Sequence, residues 1–122
     1  MPENELTTIH GTPVLVMPGD GAPLGTVEAA TDVIGDAAWG EAQIVVIPVE
    51  RLTDDFFELR TGLAGEVTQK FVNYRLRLAI VGDIESRVAE SVSLRAWVTE
   101  SNRGRQLWFV PTLDELADRL QA

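Results

Sequence analysis

The chain has 122 residues, of which 45% are hydrophobic and none is cysteine. This length suits one globular domain with one core, and the lack of cysteine excludes disulfides, thiolate metal sites and cysteine nucleophiles. The net charge of -9 opposes non-specific binding to nucleic acid, which requires neutralised phosphates. No apolar stretch is long enough to cross a bilayer, and the first residues lack a secretory-signal pattern, so we expect a cytoplasmic protein without membrane contact.

The charges are unevenly distributed along the chain. Residues 1–50 hold eight acidic side chains and no Lys or Arg, whereas residues 51–122 hold eleven acidic and ten basic side chains. One interpretation is a bias of composition. The other is an acidic face and an arginine-bearing face that orient a partner.

The N-terminal third predicts a hairpin and a helix. Residues 6–10 predict a short edge strand, Gly11 begins a turn, and residues 14–17 predict a second strand, so the pair should be antiparallel. Thr26 is a candidate N-cap for a helix that runs to about Ala38.

The middle of the chain predicts a strand, a long helix and a strand. Residues 43–49 and 76–81 are near-continuous apolar runs, typical of strands inside a sheet that helices cover. Thr53 is the predicted N-cap of the helix between these two strands. Asp54 and Asp55 follow in its first turn, where carboxylates are stabilised by the positive end of the helix dipole. The helix should continue to about Tyr74.

This helix has an apolar stripe that should pack on the sheet. The stripe consists of Phe56, Leu63, Val67, Phe71 and Tyr74. Gly62 and Gly65 interrupt it. We interpret them as places where another backbone, that of the sheet, approaches closely, with a ligand as the alternative.

The last third predicts helix, strand and helix. Residues 84–92 are polar and ambiguous, and residues 93–101 predict a helix that ends at Gly104 in the left-handed conformation. Residues 106–110 predict the last strand, and Thr112 has capping-box spacing to Glu115. The predicted fold is a single α/β domain with a central mixed sheet, in which an antiparallel hairpin precedes parallel βαβ units.

A glycine-rich segment is a candidate nucleotide site. Gly19, Gly21 and Gly25 lie between a strand and a helix, and Glu50 ends the next strand, which is the context of a dinucleotide fingerprint. The spacing is one residue too long, and no basic residue lies in the first fifty. An ordinary turn is therefore favoured, and no cofactor is expected.

Other chemistry has weaker support. His10 is the only histidine and is placed on the edge strand, so no zinc site is expected. Glu66 and Lys70 have ion-pair spacing on a helix; an acid/base pair is the alternative. Arg103 stabilises a helix C-terminus in one interpretation and clamps a carboxylate or phosphate of a partner in the other.

The order of elements resembles that of sulfate-transporter and anti-sigma-factor-antagonist (STAS) domains. In that family, phosphorylation falls at the start of the helix after the third strand. The corresponding residues here are Thr53-Asp54-Asp55-Phe56, with Asp55 near the phosphorylatable position. The resemblance implies either a carboxylate that mimics a charged state or Thr53 as the acceptor.

The local sequence resembles a second family, the bacterial domain-of-unknown-function family 4180. Three motifs carry the resemblance: Asp55-Phe-Phe-Glu-Leu-Arg-Thr-Gly-Leu-Ala-Gly-Glu-Val-Thr-Gln-Lys-Phe-Val-Asn-Tyr74, Leu78-Ala-Ile-Val-Gly-Asp83 and Glu100-Ser-Asn-Arg-Gly104. They cover about the C-terminal two thirds of the chain. That family implies no assigned activity.

The leading functional hypothesis is a non-enzymatic, STAS-like regulatory module that binds a protein partner. Its expected surface is residues 53–56, namely Thr53, Asp54, Asp55 and Phe56, with the loop Gly82-Asp83, because open α/β sheets bind at strand carboxyl ends.

Two alternatives stay open. One is a small-molecule binder or small enzyme that uses the same crevice with Arg103 or Lys70, and a buried pocket lined by Trp97 or Trp108 would favour it. The other is a homodimer with a structural role, which would have a large apolar interface.

Overall fold

The computed structural model describes residues 4–121, which contain a five-stranded mixed sheet. Its strands are β1 (Glu5–Ile9), β2 (Thr12–Val16), β3 (Ile44–Pro48), β4 (Arg77–Val81) and β5 (Leu107–Val110). They lie side by side in chain order. β1 is antiparallel to β2, and β2 to β5 are mutually parallel. The predicted single α/β domain with a mixed sheet is confirmed.

The hairpin between β1 and β2 is closed by a two-residue turn. Ile9 pairs with Thr12, and His10 and Gly11 between them have φ angles of 48° and 81°. Two successive positive φ angles fit the twist of a tight hairpin. His10 therefore lies in the turn, and its placement on the edge strand is wrong.

Six α-helices follow the strands in the described part of the chain. They are α1 (Val27–Trp39), α2 (Asp54–Phe57), α3 (Leu63–Asn73), α4 (Glu85–Glu90), α5 (Val92–Arg103) and α6 (Leu113–Gln121). The backbone N–H of Ala29 donates to Oγ1 of Thr26 at 3.1 Å, and that of Glu115 donates to Oγ1 of Thr112 at 3.2 Å. Both predicted N-caps are confirmed.

The sheet has a core on each face because alternate side chains of a strand point to opposite sides. On the first face, Val45 and Ile47 pack with buried residues of α1, α3 and α5. On the second face, Ile44 and Val46 form a smaller cluster to which α6 contributes Leu116. Burial on both faces explains the continuous apolar runs of β3 and β4.

The prediction of one long helix between β3 and β4 is wrong, because the helical segment is interrupted at Glu58 and again at Gly62. Residues 54–57 form α2, residues 59–61 form a 3-10 turn, and α3 begins only at Leu63. Gly62 has a φ of 80°, the left-handed conformation that glycine adopts without a steric penalty.

The apolar stripe predicted for that helix survives in part. Phe56, Val67 and Phe71 are buried, Leu63 is partly buried, and Tyr74 is 57% exposed. Tyr74 is the C-cap of α3 and follows its last helical residue, Asn73, so it does not continue the stripe.

Glycine conformations also differ from the predictions. Neither Gly62 nor Gly65 has a heavy atom within 4 Å of the place where a Cβ would lie, so the predicted close approach of a backbone is wrong. Gly104 after α5 is extended rather than left-handed. Left-handed residues instead follow α1 at Glu41 and α3 at Arg75, each with a φ of 58°.

Candidate functional site

The candidate site lies where β3, β4 and β5 end. We call the surface of residues 53–58, 82–88 and 109–111 the carboxyl edge. Gly82, which follows β4, has a φ of 144°, and a Cβ on it would lie 2.7 Å from Cγ2 of Val49 after β3. Only a glycine allows this contact, which holds the loop after β4 against the segment that follows β3.

Thr53 stands at the N-cap position of α2 but does not cap it. Its side chain accepts no hydrogen bond from the helix, and Oγ1 is enclosed without a partner among the described residues. Its Cγ2 lies 3.1 Å from the position of a Cβ on Gly25. The predicted capping role is therefore wrong, and the hydroxyl is not available to a kinase in this conformation.

Phe56 belongs to the core rather than to the surface. It is fully buried, its ring centroid lies 6.2 Å from that of Trp97, and Trp97 lies 5.4 Å from Phe109. This aromatic row ties α2 to α5 and β5 on the first face. Exposed contacts at the start of α2 are therefore made by Asp54 and Asp55.

Arg87 of α4 connects residues 82–88 of the carboxyl edge with residues 53–58. Its Nη2 lies 2.9 Å from Oδ1 of Asp54, and its Cζ lies 4.3 Å from the ring centroid of Phe57. Sequence reasoning missed Arg87 because it lies in the segment judged ambiguous. The Asp54 side chain is 91% exposed, so the ion pair is well solvated and contributes little to stability.

Asp83 lies two residues before α4, and its Oδ2 accepts no hydrogen bond from the described residues. Its Oδ1 accepts a hydrogen bond from the backbone N–H of Glu85 at 2.9 Å. Asp55, Asp83 and Glu85 are all exposed. The carboxyl edge thus has several solvated negative charges and Arg87 as a partly buried cation.

A groove of about 500 Å³ opens beside Asp83 and Glu85. It lies between α4, α5 and the ends of β4 and β5, and its apolar walls include Ile84, Val88, Val98 and Phe109. Gly82 and Asp83 line it, as does Arg95, which donates to the carbonyl of Val88 at 3.2 Å. A second hollow of about 480 Å³ on the other side of α4 is lined by Asp54, Phe57 and Arg87, among others.

Arg103 and Lys70 do not reach this groove. Arg103 ends α5 shortly before β5 begins, at the opposite edge of the sheet, and its Nη1 lies 3.5 Å from Oε2 of Glu100. Lys70 and Glu66 line a separate shallow hollow beside Val27, and they form no ion pair within 4.0 Å. The predicted Glu66–Lys70 pair is wrong.

The glycine-rich segment is filled by Arg51. Its Nε donates to the carbonyl of Ala22 at 3.0 Å, and its Nη1 donates to those of Pro18 and Asp20 at 2.9 and 3.2 Å. A Cβ on Gly21 would lie 2.8 Å from Cζ of Arg51. A phosphate-binding loop must present N–H groups, whereas this loop presents carbonyls to a cation.

Residues 4–121 contain neither a cluster of metal ligands nor a membrane-spanning helix. No three histidine or acidic side chains in this range come together as a group that could hold a metal ion. Over the same range, every helix is too short or too polar to span a bilayer.

Comparisons with curated proteins and with solved structures gave no match. The likeness to STAS domains therefore stays a prediction based on the order of elements. Residues 9–120 match a family described as "Domain of unknown function (DUF4180)". This match covers most of the chain, and the protein belongs to that family.

Proposed function

We propose that the protein is a non-enzymatic, STAS-like regulatory module of the cytoplasm that binds a protein partner at its carboxyl edge. The observation that carries the proposal is an apolar groove lined by the exposed carboxylates of Asp83 and Glu85, with exposed Asp55 elsewhere on the same carboxyl edge. Carboxyl ends of parallel strands are the usual binding edge of open α/β sheets.

The arrangement indicates the chemistry of the partner. An apolar side chain fills the groove between Val88 and Phe109, and an adjacent Lys or Arg pairs with Asp83 or Asp55. Charges at the rim of an interface mainly set orientation and the rate of association. Burial of the apolar side chain supplies affinity.

The surroundings of the polar groups support binding rather than catalysis. In the described part of the chain, no polar or charged residue is fully buried. Catalytic acids and bases usually owe their altered pKa to burial and to nearby charges. The exposed carboxylates of the carboxyl edge lack that burial.

Charge reversal at the carboxyl edge tests the proposal. Partners are captured from the native cell on the wild-type protein and on Asp83→Lys and Asp55→Lys variants, each compared with Asp32→Lys. Asp32 is an exposed acidic residue of α1 and provides a control with the same change of charge. We expect a protein retained by the wild type and by Asp32→Lys, and lost from both edge variants. Equal capture by all four proteins would contradict the proposal.

A small-molecule binder is a second candidate because of the volume of the groove. About 500 Å³ falls inside the range of ligand pockets, roughly 300–1,000 Å³. The walls differ from those first considered, since neither Trp97 nor Trp108 lines the groove. A thermal-shift screen with Val88→Trp distinguishes the candidates: a ligand that stabilises the wild type and Asp55→Lys but not Val88→Trp would favour the small molecule.

A further inference from the structure

Two arginines stack on Trp108 on the second face of the sheet, and a third, Arg105, lies close to one of them, Arg77. We call Arg77, Arg105 and Arg119 the arginine cluster. Cζ of Arg77 lies 4.4 Å from the Trp108 ring centroid, and Cζ of Arg119 lies 4.3 Å from it. The indole is 5% exposed and donates from Nε1 to the carbonyl of Gly104 at 2.8 Å. Because burial and this hydrogen bond fix the indole ring, its cation–π contacts hold the guanidinium groups of Arg77 and Arg119 in place.

Backbone carbonyls hold the arginines further. Nε of Arg77 donates to the carbonyl of Arg105 at 2.6 Å, and Nη2 of Arg119 donates to that of Asn102. These bonds use one nitrogen of each guanidinium group. The rest of each planar donor set is left for another acceptor.

Carboxylates of the described residues do not neutralise the cluster. The ion pairs within residues 4–121 involve Arg60, Arg87 and Arg103. This is unexpected in a chain with 19 acidic and 10 basic side chains, where an arginine has many possible partners. The positive charges of Arg77, Arg105 and Arg119 therefore lie close together without an ion pair to a carboxylate of residues 4–121.

The guanidinium group of Arg77 is incompletely hydrogen-bonded among the described residues. Its Nη2 is enclosed and has no hydrogen-bond partner among residues 4–121. Burial, together with the charges of Arg105 and Arg119, lowers the pKa of Arg77 from its ordinary value. An anion placed beside these groups therefore relieves the repulsion among the three arginines and offsets the cost of burying the charge of Arg77.

We propose that the arginine cluster is a binding site for a small, doubly charged oxyanion, either a phosphate monoester or a dicarboxylate. The shared chemistry is a pair of anionic oxygens that accept two parallel N–H bonds from one guanidinium group. A long polyanion such as a nucleic acid does not fit, because three cations cannot offset its repulsion by a chain of net charge -9.

This site is separate from the carboxyl edge. Arg77 begins β4 and Gly82 follows its end, so the two sites lie at opposite ends of one strand. Anion binding can therefore succeed or fail whatever the fate of the proposed function.

The experiment titrates inorganic phosphate and, separately, succinate into the full chain, with sodium chloride holding the ionic strength constant. Thermal unfolding and isothermal titration calorimetry measure the response. A ligand at ten times its Kd should raise the ratio of folded to unfolded protein about elevenfold. Saturable binding of either anion supports the proposal, and which one binds identifies the class.

A matched pair of variants assigns the response to the cluster. Arg105→Glu should weaken anion binding by about tenfold or more, because it removes a donor and adds a like charge beside the ligand. Arg103→Glu makes the same change of charge two residues earlier, where the side chain is 73% exposed, and should keep the affinity within about threefold. Both positions are exposed, so both variants should fold.

Two results would overturn the proposal. One is the absence of saturable binding of both anions to the wild type. The other is a response that Arg105→Glu retains in full, which would place the anion elsewhere. If Arg105→Glu fails to fold, Arg77→Lys gives the same decision, since it keeps the charge and removes the planar pair of donors.

Discussion

Helices α1, α2, α3 and α5 contribute buried residues to the core on the first face of the sheet, whereas on the second face α6 contributes Leu116 to a cluster otherwise made of strand residues. The first face contains the aromatic row of Phe56, Trp97 and Phe109, and the enclosed hydroxyl of Thr53 lies at the adjoining carboxyl edge. The second face contains Trp108 with its two guanidinium neighbours. The first face is thus closed by apolar packing, and the second brings cations against the core.

The unsatisfied groups of the two regions, Oγ1 of Thr53 and Nη2 of Arg77, have different consequences. An enclosed neutral hydroxyl costs about 1–3 kcal/mol and attracts no particular partner. A partly buried cation costs more and favours an anion as its partner. A buried polar atom without a hydrogen-bond partner therefore only lowers stability at Thr53, whereas at Arg77 it accompanies a candidate anion site.

The largest expected effect tests the packing of the first face. Phe71 is fully buried there, and Phe71→Ala should lower the free energy of unfolding by about 3–5 kcal/mol through lost contacts and a cavity. Urea denaturation measures the change. Val72→Ala, at the neighbouring residue that is 40% exposed, is the control and should change little. A loss below about 1 kcal/mol for Phe71→Ala would show that the first face is not a tightly packed core.

The second face should depend on a single helical residue. Leu116 is fully buried and is the buried residue of α6, so Leu116→Ala should cost about 2–5 kcal/mol. Leu113→Ala changes a residue of the same helix that is 43% exposed, and its cost should stay near 0.5 kcal/mol, about the size of ordinary surface substitutions. Equal costs for the two variants would mean that α6 does not close this face.

A smaller effect concerns the tight contact between Gly82 and Val49 beside the first face. Gly82→Ala should cost about 1–3 kcal/mol, because alanine is strained at a φ of 144° and its Cβ meets Val49. Gly65→Ala is the opposite case: it has open space and lies inside α3, so it should stabilise by up to about 1 kcal/mol. Thermal unfolding measures both. Two changes of the same sign would contradict the contact.

The smallest expected effect concerns the hydroxyl of Thr53. The sign of the change in stability shows whether this hydroxyl caps α2. Thr53→Val replaces an enclosed hydroxyl without a partner by a methyl group, so stability should stay the same or rise by up to about 1 kcal/mol. Thr26→Val removes a hydroxyl that caps α1 and should cost about 1 kcal/mol. A comparable loss at Thr53 would show that it caps α2 after all.

Thr53 also bears on the resemblance to STAS domains. If this residue is a phosphoacceptor, its hydroxyl must first leave the enclosed position beside Gly25. Mass spectrometry of protein from the native host, compared with Thr53→Val, detects such a phosphate. Its absence at Thr53 would reduce the residue to a packing contact.

Much of the fold could be predicted because its signals are local. Apolar runs at β3, β4 and β5 predicted buried parallel strands, and threonines at 26 and 112 predicted two helix starts, since a cap bonds to a residue only three positions away. The candidate site was predicted less well. Of its seven residues, the structure brings Asp54, Asp55, Gly82 and Asp83 to the carboxyl edge, buries Phe56, encloses the Thr53 hydroxyl and places Arg103 at the opposite edge.

The sequence by itself determined the class of fold, the order of the strands along the chain and membership of the family, because periodicity, caps and local motifs depend on neighbours along the chain. Only the tertiary structure decided that Gly62 breaks a helix, that Arg51 fills the glycine-rich loop from 29–33 residues away, and that Arg77 and Arg119 meet at Trp108. Those contacts join residues far apart in the chain. Their partners are set by how the sheet and helices close, which no local pattern encodes.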